Sequence, residues 1–148
     1  MNYYVGIDLG TSSVKTLLLS GDGEVLSSVT KEYPLYFPNN GWSEQNPEDW
    51  YNQTVASLKE LLKGIDKESV CSFSFSGQMH GLVMLDENDN VIRPALLWND
   101  SRSQPQTDKL NENKDFLLDN TANIAFAGFT APKLLWLREN EADNFPWL

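Results

Sequence analysis

The residues most suited to chemistry lie in one short segment near the N-terminus, which reads Asp-Leu-Gly-Thr-Ser-Ser-Val-Lys over residues 8–15. Hydroxyl groups beside backbone N–H groups can hold phosphate oxygens, and a nearby lysine adds positive charge. A carboxylate suits a hydrated Mg²⁺, which prefers one or two carboxylates and retains several waters. The segment therefore suggests a phosphate clamp, with phosphate binding by Gly10, Thr11, Ser12, Ser13 and Lys15 and metal binding by Asp8.

Glycine at position 10 suits a sharp turn, because it tolerates unusual backbone angles and lets a ligand approach closely. The segment is not a Walker A loop, which requires Gly-Lys-Ser/Thr ahead of a helix. Gly, Ser and Thr are also common in ordinary turns, and an aspartate at a strand end is often a cap. The residues alone leave both a phosphate clamp and a plain hairpin turn open.

Strands must position this segment, because apolar runs flank it on both sides. Residues 3–9 and 14–20 predict two strands, and the turn Gly21-Asp-Gly23 leads into a third over residues 24–30. Three strands joined by short turns form an antiparallel meander. The segment at residues 8–15 would then lie at one end of the sheet.

The rest of the chain alternates between helical and strand patterns. A helix is predicted to begin at Pro47 after the capping residue Asn46 and to stop near Gly64. Further elements are predicted as a strand over 70–76, a hairpin of 82–85 with 91–92, a short apolar run over 95–98, a helical region after Arg102 and a helix over Thr130–Asn140. Strands alternating with helices predict an α/β fold.

Composition narrows the class of protein. The chain has 148 residues, of which 41% are hydrophobic and 22% charged, as in one globular domain. A net charge of −10 argues against nucleic acid or an anionic membrane as the main partner. Cys71 is the only cysteine, and no signal segment or run of about 20 apolar residues is present. A cytoplasmic location is the default expectation.

Two later segments also carry candidate binding residues. Gly-Gln-Met-His-Gly at 77–81 follows a predicted strand, and its histidine is the only one in the chain. A lone histidine is more often a structural hydrogen bonder, and Met79 alone would be core. Trp-Asn-Asp-Ser-Arg at 98–102 could bind a ligand through its charged pair, or that pair could simply pin a loop. The tryptophan face suits the C–H side of a carbohydrate, although burial is commoner.

Four motifs in order resemble those of one protein family. Gly-Ile-Asp-Leu-Gly-Thr-Ser at 6–12 is similar to the first phosphate loop of the actin-like ATPase superfamily, which has a ribonuclease H-like fold. The segment 42–50 resembles the lead-in to the first helix of FGGY-family carbohydrate kinases, and 76–81 resembles the sugar loop of the xylulokinases. Residues 128–140 match the Pro-Lys-x-x-Trp signature of the family. The chain is thus identified as most like the N-terminal part of an FGGY kinase.

The resemblance implies a reaction and a set of roles. The parent protein would transfer the γ-phosphate of ATP to D-xylulose with Mg²⁺, and Asp8 would have a catalytic role, near the metal and the transferred phosphate. Gln78 could contact the sugar or brace its loop. Lys133 is expected to snorkel or to pair, and Trp136 is expected to pack in the core. The resemblance assigns sugar contact to Met79 and His80, and the expected sugar site also includes Gln78, Trp98, Asp100 and Arg102.

The family pattern is incomplete in this chain. Its catalytic base is an aspartate in a downstream Gly-Asp-Asn-like segment, for which residues 1–148 contain no counterpart. We therefore expect residues 1–148 to be an incomplete first domain, inactive alone, whose phosphate and sugar loops face one cleft in the parent protein. A kinase for another sugar or polyol, a chaperone-like or actin-like ATPase and a non-catalytic module stay open. An unpaired sheet edge would favour self-association, such as a homodimer.

Overall fold

The first three strands form the antiparallel meander that the sequence predicts, in a computed structural model that describes residues 2–144. Gly23, at φ +86°, turns the chain between the second and third strands, a backbone conformation that favours glycine. In chain order the elements are β1 (Tyr3–Leu9), β2 (Ser13–Ser20), β3 (Val25–Glu32), β4 (Glu44–Gln45), α1 (Pro47–Leu61), β5 (Val70–Gly77), β6 (Ala95–Leu96), α2 (Gln104–Asn111), α3 (Lys114–Thr121) and α4 (Thr130–Asn140). Short 3₁₀ turns cover Lys67–Ser69 and Ala142–Asn144.

The described chain forms two units, and the first holds the four-stranded sheet. This unit comprises the residues up to Pro34 together with Glu48–Gln78. Its strand order is β3-β2-β1-β5, in which β5 runs parallel to β1 and pairs Asp8 with Ser76. A side-chain carbon at Gly77 would lie 2.9 Å from the Leu9 carbonyl oxygen, so the two strands can approach this closely only with glycine there. The carboxyl ends of β1 and β5 therefore lie side by side.

One face of the sheet is covered by α1. This helix starts with proline and places Glu48 and Asp49 in its first turn, where they favour the positive end of the helix dipole. Its buried Leu61 and half-buried Trp50 pack against the sheet. The sheet contributes Val5, Ile7, Val14, Leu18, Val29 and Tyr33 to this core. The alternation of buried residues along β1 and β2 thus fixes which face of the sheet α1 covers.

The second unit comprises Leu35–Pro47 and the residues from Met79 onward. Its two-stranded sheet pairs β4 with β6, and its helices are α2, α3 and α4. The expected hairpin over 82–92 is irregular, with an isolated bridge between Leu85 and Val91 instead of two strands. The core of this unit consists of Leu82, Met84, Leu96, Trp136 and Leu137.

Two sequence expectations concern the C-terminal third of the chain. The helix α4 spans Thr130–Asn140, as predicted, and the helical region after Arg102 consists of α2 and α3. Residues 145–148 lie outside the described residues, and the expectation of an incomplete first domain stays a prediction. Across residues 2–144, none of the helices has the length and apolar character needed to cross a membrane.

Candidate functional site

The candidate phosphate loop connects β1 to β2 at the carboxyl end of β1. The Gly10 backbone N–H donates to the Ser13 carbonyl at 3.0 Å, which closes the turn. Gly10 is not among the described glycines with positive φ, so a left-handed backbone is not the reason for glycine here. Space is the reason for glycine instead, because a side-chain carbon would lie 3.1 Å from the Ser13 carbonyl oxygen.

Tyr33 holds this loop from the end of β3, a role that the sequence did not reveal. Its backbone N–H donates to the Ser12 carbonyl at 3.2 Å, and its hydroxyl donates to the Gly10 carbonyl. Burial, reinforced by the negative charge of Asp8, raises the pKa of Tyr33 to about 12. The phenol therefore keeps its proton at neutral pH and stays a hydrogen-bond donor to the loop.

The ionisable groups of the loop face solvent. Asp8 and Lys15 are exposed and are paired across the β1–β2 ladder. Within residues 2–144, no group of three or more His, Cys, Asp or Glu side chains is gathered as for a fully protein-bound metal. A lone exposed carboxylate still fits Mg²⁺, which takes one or two carboxylates and keeps its waters. Asp8 is thus exposed enough to bind a hydrated metal ion.

Gln78 belongs to the same sheet edge as the phosphate loop. Its backbone N–H donates to the Leu9 carbonyl at 2.8 Å, which extends the parallel pairing of β1 and β5 by one residue. Its side chain is half-buried. The chain thus begins its candidate sugar loop, residues 77–81, directly beside the end of the strand that carries Asp8. Whether Gln78 contacts a sugar or braces the loop stays a prediction.

Met79 and His80 belong to the second unit, where both are exposed. Met79 is 67% exposed, so it is not the core residue that its type alone would suggest. His80 has a φ of 61°, in the left-handed region that non-glycine residues seldom adopt. Its imidazole stacks on Phe129 with ring centroids 4.5 Å apart. Phe129 was not among the predicted site residues, although it directly precedes α4 within the signature segment.

Lys133 is the buried link between the sugar loop and α4. Of the two expectations for this lysine, snorkelling or pairing, snorkelling is wrong, because its side chain is fully buried. Its ammonium donates to the His80 carbonyl at 2.9 Å and to the Gly128 carbonyl. Burial lowers the pKa of Lys133 to about 8, which Arg102 reinforces and Asp100 opposes. Trp136, one turn further along α4, packs in the core as expected.

Asp100 and Arg102 form a buried ion pair. The Arg102 guanidinium donates from Nη2 to Asp100 Oδ2 at 2.8 Å, and the Ser43 backbone N–H donates to the same oxygen at 2.7 Å. Arg102 Cζ also lies 3.7 Å from the ring centroid of Trp42. This arrangement is what the loop-pinning alternative describes, since both groups are used within the protein. Direct sugar contact by this pair stays a prediction.

A second layer of charges surrounds that pair. Glu44 accepts from Arg102 Nη2 at 2.7 Å and also from Arg93, which in turn pairs with Glu141. A buried ion pair with one partner removed leaves an uncompensated charge, so such a network is costly to break. The network therefore gives the segment 98–102 a defined conformation.

Trp98 lies on the surface of the same unit, 49% exposed. Its carbonyl oxygen lies so close to Gly128 that a side-chain carbon at position 128 would collide with it. Gly128 precedes Phe129, so the tryptophan segment and the start of α4 touch through their backbones. The second unit thus collects Met79, His80, Trp98 and Phe129, while the first unit holds Asp8, Gly10, Thr11, Ser12, Ser13, Lys15 and Gln78.

A family model and sequence relatives match this chain along most of its length. The model of the FGGY family of carbohydrate kinases, N-terminal domain, matches residues 3–146. A xylulose kinase of Bacillus subtilis is 48% identical over 148 residues, which cover 98% of this chain and 30% of that protein. A gluconokinase of the same organism is 35% identical over 111 residues, 75% of this chain and 22% of that protein.

Solved structures give the same result. The crystal structure of a xyloylose kinase from Brucella ovis superimposes with a TM-score of 0.93 at 40% identity, covering 99% of this chain and 31% of that one. The chain therefore spans about 30% of the length of the Bacillus subtilis xylulose kinase and carries the actin-like ATPase fold of sugar kinases. It belongs to the FGGY family of carbohydrate kinases, to whose N-terminal domain residues 3–146 correspond.

Proposed function

We propose that the protein carrying this chain phosphorylates D-xylulose at its terminal hydroxyl, with ATP as the phosphate donor. The observation that carries the proposal is the parallel pairing of β1 with β5, in which the Gln78 N–H donates to the Leu9 carbonyl at 2.8 Å. This pairing starts the candidate sugar loop beside the candidate phosphate loop. Ligands of α/β sheets usually bind at such carboxyl edges. The 48% identity to a xylulose kinase supports the choice of sugar.

The phosphate side of the reaction would use the β1–β2 loop. Ser12 is exposed and Thr11 half-buried; the N–H and hydroxyl groups of this turn would donate to phosphate oxygens, and Lys15 adds a cation. Asp8 would hold a hydrated Mg²⁺, which neutralises charge on the phosphates when bound. The hydrogen bond that the Tyr33 hydroxyl donates to the Gly10 carbonyl would keep the loop in one conformation. The N–H groups of the loop would then be preorganised for the negative charge that develops on the phosphate.

The sugar side would use the exposed groups of the second unit. His80 can exchange hydrogen bonds with sugar hydroxyls, while the exposed Met79 and Trp98, with the half-buried Phe129, offer apolar surface to C–H groups. Asp100 and Arg102 would order the wall of the site from behind. The terminal hydroxyl would then attack the γ-phosphate in line, and closure of the site would exclude water. The base that accepts its proton would come from outside residues 1–148.

A comparison of substrates tests the proposal. The full-length protein that carries this sequence would be assayed for ADP formation with D-xylulose, D-gluconate and glycerol under matched conditions. We expect the highest kcat/KM for D-xylulose, by about 10-fold or more, since a site built around one set of hydroxyls rejects mismatched ones. A higher kcat/KM for D-gluconate or glycerol would contradict the assignment of the sugar.

A kinase for another sugar or polyol of the same family is the second candidate. The 35% identity to a gluconokinase over 75% of the chain supports it, because a related N-terminal domain then occurs in a protein named for a different substrate. The substrate comparison separates the two candidates. The 148-residue chain alone is expected to form no sugar phosphate above a control without protein, and formation of product would show that the base lies within it.

A further inference from the structure

The buried ammonium of Lys133 joins two backbone carbonyls that flank the candidate sugar-binding side chains. One carbonyl belongs to His80, 2.9 Å from Nζ, and the other to Gly128. These carbonyls come from the sugar loop and from the residue before Phe129. A hydrogen bond from a charged donor is stronger than one between neutral groups, especially where water is excluded. Lys133 therefore constrains the main chain at two segments at once.

The conformation of His80 explains why such a constraint matters. Its φ of 61° is unfavourable for a residue with a side chain and persists only where surrounding structure enforces it. The carbonyl of the same residue accepts from Lys133, and the Thr130 hydroxyl lies 3.5 Å from that oxygen. The imidazole position follows from this backbone, since the ring stacks on Phe129. Lys133 thus controls which way His80 points.

The second carbonyl extends the constraint to two further aromatic residues. Phe129 directly follows Gly128, so the orientation of the Gly128 carbonyl helps to set the position of the Phe129 backbone. Gly128 is also pressed against the Trp98 carbonyl oxygen, where no side-chain carbon fits. The Lys133 side chain is fully buried, and the charges of Asp100 and Arg102 both act on its ammonium group. It therefore acts on the site from behind and does not contact solvent.

We infer that Lys133 is a positioning residue for sugar recognition, which fixes His80 and Phe129 through their backbones without touching the substrate. The inference rests on the proposed function and deepens it, because it assigns substrate selectivity to a residue of α4. The proposed role predicts a selective defect, in which binding of the sugar weakens while binding of ATP does not. A purely structural role would instead lower the amount of folded protein or change both substrates alike.

Three variants of the full-length protein test the inference. Lys133→Met keeps the unbranched, flexible shape of the side chain, one atom shorter, and removes the donor, and Gly128→Ala forces the Trp98 contact apart with the lysine intact. Lys109→Met is the matched control, since Lys109 lies on α2 with a 66% exposed side chain. We expect the first two to raise the KM for D-xylulose about 10-fold or more and to leave the KM for ATP within about twofold. The control should change neither constant.

A readout without turnover complements the kinetics. The imidazole ¹H–¹³C resonance of His80, assigned by its loss in His80→Gln, reports ring stacking on Phe129. We expect it to shift in Lys133→Met and to stay in place in Lys109→Met. If wild type does not phosphorylate D-xylulose, the proposed function fails, and the resonance alone then decides the positioning role.

Specific outcomes would overturn the inference. One is a folded Lys133→Met protein whose xylulose KM is unchanged, and another is an equal rise in both KM values. An unshifted His80 resonance would overturn it as well. If Lys133→Met does not fold, Gly128→Ala decides, and an unchanged xylulose KM there contradicts the positioning role.

Discussion

The Tyr33 hydroxyl donates a hydrogen bond to the Gly10 carbonyl, and this contact ties the end of β3 to the loop between β1 and β2. The Tyr33 N–H also reaches the Ser12 carbonyl at 3.2 Å. One residue therefore restrains two positions of the candidate phosphate loop. Its pKa of about 12, raised by burial and by Asp8, keeps the phenol protonated throughout the neutral range. The contact implies that the loop is fixed before any ligand binds.

Removal of this hydroxyl should weaken ATP binding selectively. In Tyr33→Phe the Gly10 carbonyl loses its donor, so we expect a loss of about 1 kcal/mol in the free energy of unfolding. The KM for ATP should rise several-fold, while the KM for the sugar stays the same. Urea unfolding and initial-rate kinetics measure both effects. Tyr51→Phe, at a 67% exposed position on α1, is the control, and equal effects of the two variants would contradict the role of Tyr33.

The Asp8 carboxylate should matter for the chemical step. Asp8→Asn removes the negative charge that a hydrated metal requires while keeping the size of the side chain. We expect kcat to fall by about 100-fold or more, with little change in the KM for the sugar. The control is Asp22→Asn, which makes the same chemical change in the exposed turn between β2 and β3 of the first unit. A kcat within about twofold of wild type in Asp8→Asn would rule out the metal role.

The His80 imidazole should contribute to sugar affinity. His80→Ala and His80→Gly both remove the ring, but only alanine retains a side-chain carbon at a φ of 61°. We therefore expect both variants to bind D-xylulose more weakly, and His80→Gly to be the more stable of the two by about 1 kcal/mol. Calorimetric titration with the sugar and thermal unfolding give the two quantities. Wild-type affinity in both variants would remove His80 from the site.

The buried Lys133 should leave a signature in the pH dependence of stability. Its pKa falls from 10.5 to about 8 on folding, because burial disfavours the ammonium, with Arg102 reinforcing and Asp100 opposing the shift. Between these two values the unfolded chain binds more protons than the folded one. The contribution of Lys133 to the free energy of unfolding therefore rises with pH across this window. The full penalty for burying the charged ammonium applies below pH 8.

Urea unfolding at about pH 7 and about pH 10 checks this sign. We expect wild type to gain stability relative to Lys133→Met over that interval. Lys109→Met corrects for the general effect of losing one lysine. If wild type instead loses stability relative to Lys133→Met as the pH rises, the lysine is not held with a lowered pKa in the folded protein.

Local patterns predicted the meander and the signature helix well. The alternation along β1 and β2, with glycine in the following turn, is a short-range signal, and α4 has the predicted bounds Thr130–Asn140. The parallel pairing of β1 with β5 depends on contacts between residues far apart in sequence. Nothing in either strand alone specifies that partner, so the edge shared by Leu9 and Gln78 emerged only from the structure.

The two positioning residues escaped prediction for a common physical reason. Tyr33 and Lys133 both donate to backbone carbonyls, which every residue possesses. Because the acceptor is a backbone carbonyl, no complementary side chain in the sequence reveals such a bond. Asp100 and Arg102 differ in this respect, since their opposite charges suggested an ion pair. A lysine on a helix ordinarily extends to solvent, so full burial of Lys133 runs against its type.

Detection of the phosphorylated sugar itself tests the central claim most directly. The full-length protein would be incubated with ATP, Mg²⁺ and D-xylulose, and the reaction followed by ³¹P NMR. We predict that D-xylulose 5-phosphate appears in a one-to-one ratio with ADP and that no ADP forms without sugar. Release of inorganic phosphate from ATP without any sugar phosphate would contradict the kinase assignment and would indicate an ATPase instead.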